Sequence, residues 1–232
     1  MNEADQGGSE EMQDSSPVYV YKEYEGGKLG LGVRVTDEQA TLADLLSAWE
    51  PLSGDPAIYK AFAANHYADC RGCQVNCCRQ AYVIPDLIAL KRMSAYLGIA
   101  ELDFARNYLD AEKLGITIPR LQTSPCIFLQ EGLCTVYPVR TLICRFYLCT
   151  HILGETEEFI YTITLAGMAA TQQYLAEAGL FDEQDGQVGL TDYEQHFLRF
   201  FGEYRGTRMV EAFLGARDYT EIPLSLFLPA SR

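Results

Sequence analysis

Four cysteines stand within nine residues in the run Cys70-Arg71-Gly72-Cys73-Gln74-Val75-Asn76-Cys77-Cys78. Four more follow at Cys126, Cys134, Cys144 and Cys149. All eight therefore lie in residues 70–149 of a 232-residue chain, where chance placement would leave about five of them outside. A chain of this length buries enough apolar surface to fold without disulfide staples, so the thiols need another role. A C-x2-C pair puts two sulfurs on one turn, close enough to share an ion or cluster. Thiolate is the soft donor preferred by zinc, copper(I) and iron–sulfur clusters. Adjacent Cys77 and Cys78 project apart, which leaves them to serve two sites or to divide between a ligand and a packed or redox thiol. Buried structural thiols and disulfide switching are the competing readings of the eight.

The remaining composition narrows the class. With 18 basic against 32 acidic side chains the net charge is −14, and 48% of the residues are hydrophobic. Such a chain has the apolar content to fold. It lacks the excess of Lys and Arg that nucleic-acid or anionic-membrane binding requires. The first residues, Met1-Asn2-Glu3-Ala4-Asp5, are acidic where a secretory signal is basic, and no run is long and apolar enough to span a bilayer. The expectation is a cytoplasmic protein, in which reduced thiols bind metal rather than form disulfides, with no nucleic-acid and no membrane partner.

Residues 1–16 read as a disordered acidic tail, and residues 17–232 as a single domain. Val18-Tyr19-Val20-Tyr21 and residues 29–35, joined by Glu25-Gly26-Gly27-Lys28, read as a hairpin. Thr36 with Gln39 fits a capping box that opens a helix through Leu42, Leu45, Leu46 and Trp49. Asp55-Pro56 starts another. Pro85-Asp86 opens a helix to Leu97 ending at Gly98, and a further helix runs from Leu102 to Leu114. Residues 116–121, 127–129 and 133–137 read as short strands, the last two joined by Gln130-Glu131-Gly132. The C-terminal part, 155–216, is helical: one helix covers residues 160–178, an acidic loop 182–189, and a second helix 192–214 carries an aromatic stripe of Tyr193, Phe197, Phe200, Phe201 and Tyr204. Small residues Ala166, Gly167, Ala169 and Ala170 predict close helix packing. The fold class is α+β, mainly helical with short β-hairpins around a cysteine-rich metal centre in residues 66–150.

At these cysteines the chain resembles the YkgJ-type cysteine cluster family, also described by the motif CxxCxxCC and as zinc- or iron-chelating. The family order of a cysteine run followed by Arg, then Cys-x-Phe-Leu, Gly-x-Cys-x-x-Tyr and Arg-Pro-x-x-Cys-Arg is matched here by residues 70–79, 126–129, 132–137 and 140–145. Two departures stand out: three residues rather than two separate Cys73 from Cys77, and Thr141 stands where the family has Pro. The resemblance implies a metal or cluster centre. Through members similar to flagellin lysine N-methylase, it also implies a link to methyl transfer onto a protein substrate.

The metal ligands expected are Cys70, Cys73, Cys77, Cys78, Cys126, Cys134, Cys144 and Cys149. The uneven spacing of the first run suits an iron–sulfur cluster. Zinc is the alternative, in two tetrahedral thiolate sites or in one where His66 or His151 replaces a cysteine. The cysteine segments also hold Arg71, Arg79, Arg120, Arg140 and Arg145 against the single acid Glu131, and arginines near thiolates lower their pKa and offset their charge. No hydrolase, kinase or phosphate-loop signature occurs, and no catalytic residue is assigned. Three functions remain open on these residues: a metalloprotein with a structural or electron-transferring centre, a cluster-dependent protein-modifying enzyme, and a metal chaperone or buffer.

Overall fold

The chain's most local turn signal is realised first. In the computed structural model, which describes residues 16–54, 77–79, 81–148, 150–181 and 190–228, strands β1 (Val18–Glu25) and β2 (Lys28–Val35) pair antiparallel in full register, from Val18 opposite Val35 to Glu25 opposite Lys28. Gly26 and Gly27 both take positive φ, 58° and 80°, the two-residue turn whose twist matches the flanking strands. The expected strands after residue 126 are shorter, β3 (Leu129–Gln130) and β4 (Leu133–Cys134), again around a two-residue turn. Residues 116–121 form only a bridge, Leu121 to Leu109.

Helix α1 (Leu42–Trp49) begins later than its capping signal implied. Thr36 instead continues the hairpin, its N–H donating to the Pro17 carbonyl. The cap is Thr41, whose N–H and hydroxyl both donate to the Asp44 carboxylate at 2.8 and 2.7 Å. The helix expected from Asp55 lies outside the described residues. Helix α2 (Leu87–Leu97) has the anticipated bounds, capped by Asp86 and closed by Gly98 at φ 69°.

Two helices expected to be continuous are broken. The first divides into α3 (Glu101–Tyr108) and α4 (Ala111–Leu114), because Leu109 turns extended to bridge Leu121 and Asp110 recaps the chain. In the last third, α7 (Asp192–Tyr204) and α8 (Arg208–Gly215) are separated at residues 205–207, where Thr207 caps the second. In both cases a new N-cap side chain replaces the intrahelical bonds given up. Between them in the chain come α5 (Leu142–Phe146), β5 (His151–Ile152) and the long α6 (Gly154–Glu177), which starts six residues before its expected first turn. β5 pairs parallel to β2, giving the order β1-β2-β5, a long-range pairing that no local pattern signals.

Helix α6 is the spine, packing against α8, α7, α2, α5 and β2. Its small residues do what their size predicts. A Cβ on Gly167 would lie 2.6 Å from the Asp86 Cβ and 3.2 Å from the Phe213 ring, so Gly167→Ala is expected to destabilise the fold by about 1–3 kcal/mol, read as a lower denaturation midpoint. Helix α2 stands between two apolar clusters. Leu87 and Ile88 join Trp49, Phe146, Ile163 and Phe213 on one side, and Leu90 and Met93 join Phe104, Leu121 and Phe128 on the other. Of the aromatic stripe on α7 only Phe201 is buried; Phe197 stacks on Tyr82 and Tyr193 is exposed. No described helix is long and apolar enough to cross a membrane.

One ion pair across this fold carries a pH signature. Lys113 on α4 donates to the buried Glu194 carboxylate on α7, and with the Thr191 cap it holds that carboxyl down to about 2 from an ordinary 4.5. A depressed carboxyl pKa contributes stability that is complete above about pH 4.5 and lost as the pH falls toward 2. Lys113→Met is therefore expected to lower the urea midpoint at pH 6, with the gap to the parent closing between pH 4.5 and 2. A gap that stays constant over that range would remove the pair from the acid response.

Candidate metal centre

The described cysteines come from four short segments, three of which pack against the second apolar cluster. Cys77 and Cys78 sit in a 3-10 turn (Cys77–Arg79), Cys126 in the turn ahead of β3, Cys134 in β4 and Cys144 in α5. The local chemistry explains each placement. The Cys126 N–H donates to the Cys78 carbonyl at 2.8 Å, fastening the first group to the second. Thr135 N–H donates to the Phe128 carbonyl at 2.9 Å, extending the β3–β4 pairing past Cys134. Cys126, Cys134 and Cys144 pack against the cluster that contains Phe128, Val136 and Leu121.

The thiol electrostatics show which sulfurs share a neighbourhood. Burial pushes Cys126 up to about 11, against the Phe128 N–H directed at its sulfur, and the charges of Cys78 and Cys134 push it further. Burial also raises Cys134, opposed by the Val136 N–H, with Cys78 raising it again and Arg140 lowering it. Burial raises Cys144 strongly, and Cys78, Cys126 and Cys134 each add to the rise while Arg140 opposes it. Every pair among Cys78, Cys126, Cys134 and Cys144 is thus within electrostatic reach. Cys78 alone goes the other way, to about 7, because the Cys77 thiol hydrogen-bonds to it; burial opposes this and its own N–H assists. Cys77 itself is exposed.

This donor set suits a soft metal. It offers four thiols, backbone N–H groups aimed at two of the sulfurs, and an arginine that offsets thiolate charge. Among the described residues, however, no group of three or more His, Cys, Asp or Glu side chains has the spacing to hold a metal ion. Cys70, Cys73, Cys149 and His66 lie outside the described residues. His151 is in β5, where its Nε2 meets Glu25 at 2.8 Å.

Of the arginines expected around the thiols, Arg71 lies outside the described residues, and among the described ones Arg140 is the one whose charge acts on them. Arg120 pairs with Asp110 and covers the Tyr82 ring, and Arg79 is exposed. Arg145 donates to the carbonyls of Arg140 and Pro138 and pairs with Glu50 at 2.7 Å, bracing α5 from outside. The residue that sequence reasoning saw only as a helix cap is Asp86. Fully buried, it accepts four hydrogen bonds, three of them from residues more than fifty positions away.

No curated protein and no solved structure matches the chain. Residues 69–164 match the family model described as "CxxCxxCC: Putative zinc- or iron-chelating domain", a span that covers all eight cysteines and both departures, the longer Cys73–Cys77 gap and Thr141. Over residues 69–164 the chain is thus similar to the CxxCxxCC domain.

Proposed function

We propose that the chain is a metal-binding protein whose centre is an iron–sulfur cluster held by Cys78, Cys126, Cys134 and Cys144, with zinc as the alternative occupant. The supporting observation is the mutual electrostatic reach of these four thiols, three of which, Cys126, Cys134 and Cys144, pack against one apolar cluster, with the backbone of Cys78 tied to that of Cys126. Cys70, Cys73, Cys77 and Cys149 are the donors for a second ion or for completing the first sphere. A bound cluster supplies one-electron transfer and bound zinc a structural cross-link.

The chain's own residues have definite tasks around such a centre. The N–H groups of Phe128 and Val136 stabilise the anionic sulfurs of Cys126 and Cys134, and Arg140 offsets the charge that four thiolates accumulate. The apolar wall of Phe128, Val136 and Leu121 limits water at the sulfurs. The iron–sulfur preference rests on the two N–H···S contacts, at Cys126 and Cys134, a feature that tunes cluster potential.

The test is metal and acid-labile sulfide analysis, with an absorption spectrum, of protein purified without oxygen. Iron with sulfide and a broad visible band is the expected result. Stoichiometric zinc in a colourless protein would replace the cluster by a structural clamp, and metal-free protein after reconstitution with either would overturn the reading.

A further inference from the structure

Asp86 is unusual among the helix caps of this chain. Its Oδ1 accepts from the Ala89 N–H at 3.0 Å, the ordinary capping bond of α2, and from the Tyr219 hydroxyl at 2.9 Å. Its Oδ2 accepts from the Leu142 N–H and from the Thr141 hydroxyl, both at 2.9 Å, while the Asp86 N–H donates to that same hydroxyl at 3.0 Å. One carboxylate therefore caps two helices, α2 and α5, and its partners are donors throughout. Asp86, Thr141 and Tyr219 are all buried, with exposures of 0%, 2% and 2%.

The geometry bears on the thiols because α5 is only five residues long and Cys144 is its third. Such a helix has too few internal bonds to hold its own orientation, so its direction is set by what grips its ends. The Cys144 and Arg145 N–H groups both donate to the Thr141 carbonyl at 3.0 Å, so the residue gripped by Asp86 is the one from which the cysteine's turn is hung. The departure of Thr141 from proline acquires a physical reason here: its hydroxyl supplies a bond in each direction to Asp86 that a proline ring cannot make.

We propose that Asp86 is the positioning residue for Cys144, holding α5 through Thr141 and Leu142 so that the Cys144 thiol is presented to Cys78, Cys126 and Cys134, and that Tyr219, outside the CxxCxxCC span, steadies it. This rests on the metal-binding reading of the four thiols. The network touches no thiol, so its contribution is orientation: bonds behind a ligand fix its direction, and losing one costs about 10–100-fold in metal affinity.

The experiment is a cobalt(II) titration of the full chain, purified without oxygen and metal-free. It follows the thiolate charge-transfer band and the visible ligand-field bands, with a circular-dichroism melt of each metal-free protein. Thr141→Val, which removes the hydroxyl and keeps the shape, is expected to weaken cobalt binding about 10–100-fold and to alter the ligand-field bands, while Thr141→Ser restores both. Tyr219→Phe, which keeps the ring against Arg92, tests the other carboxylate oxygen should Thr141→Val fail to fold. Ligand-field bands and affinity in a folded Thr141→Val or Tyr219→Phe protein identical to those of the parent would overturn the positioning role while leaving the metal-binding reading intact. A parent chain that gives no charge-transfer band and takes up neither zinc nor an iron–sulfur cluster on reconstitution would overturn the metal-binding reading, and the positioning role with it.

Discussion

Replacing Cys134 by serine is expected to weaken metal binding by about 100-fold. The estimate follows from the overall strength of such sites. Four-ligand structural zinc sites are worth about 10–16 kcal/mol near neutral pH, so one thiolate in four carries roughly 3 kcal/mol, or about two decades in affinity. Serine preserves volume but offers a hydroxyl that does not ionise in this range and is a poor soft-metal donor. Cys134 is the informative choice because β4 and the Val136 N–H fix its sulfur independently of the first cysteine run. The measurement is competition against a chromophoric chelator on metal-loaded parent and variant. Affinity unchanged within a factor of three would remove Cys134 from the ligand set. The same substitution at Cys126 is expected to behave alike, since its sulfur is held in the corresponding way by the Phe128 N–H.

Truncating Trp49 to alanine is expected to cost the fold about 3–5 kcal/mol, lowering the thermal midpoint by roughly 10 °C. Trp49 is the chain's single tryptophan, fully buried at the end of α1, and its ring meets Phe146 edge to face with centroids 5.8 Å apart. Removing it deletes the largest side chain of the principal cluster and leaves a void too confined for the neighbouring helices to fill. The loss reaches α5 as well, because Phe146 lies two residues beyond Cys144 in that short helix. The melt is to be followed by circular dichroism, as the variant has no indole to report. A midpoint within 2 °C of the parent would mean that α1 contributes little to the cooperative unit.

Several parts of the structure were legible because their signals are local. Gly26-Gly27 between two strand-forming runs determines a two-residue hairpin, and Pro85-Asp86 followed by Gly98 across an 11-residue helix bounds α2, since turn and cap chemistry acts over one to four residues. The same locality explains the misplaced starts and breaks. Thr36 and Thr41 both offer caps, and choosing between them depends on Thr36 being engaged by Pro17 across the hairpin. Leu109 has helical neighbours and leaves the helix because Leu121 is there to pair with it. Thr207 recaps a helix that the apolar pattern would carry straight through, and β5 finds β2 from more than a hundred residues away.

The candidate site divides along the same line. The sequence by itself determined its donor chemistry: eight thiols in one third of the chain are too dense for packing and of a softness suited to zinc, copper(I) or an iron–sulfur cluster, whatever the fold. Only the tertiary structure decided which of those thiols share a neighbourhood, that Arg140 rather than Arg120 or Arg145 serves them, and that an aspartate 58 residues before Cys144 caps the helix carrying it. Donor type is a property of a single side chain, fixed when the chain is written. Proximity between residues 48 to 133 positions apart is a property of how apolar faces bury one another, and no periodicity within a segment encodes it.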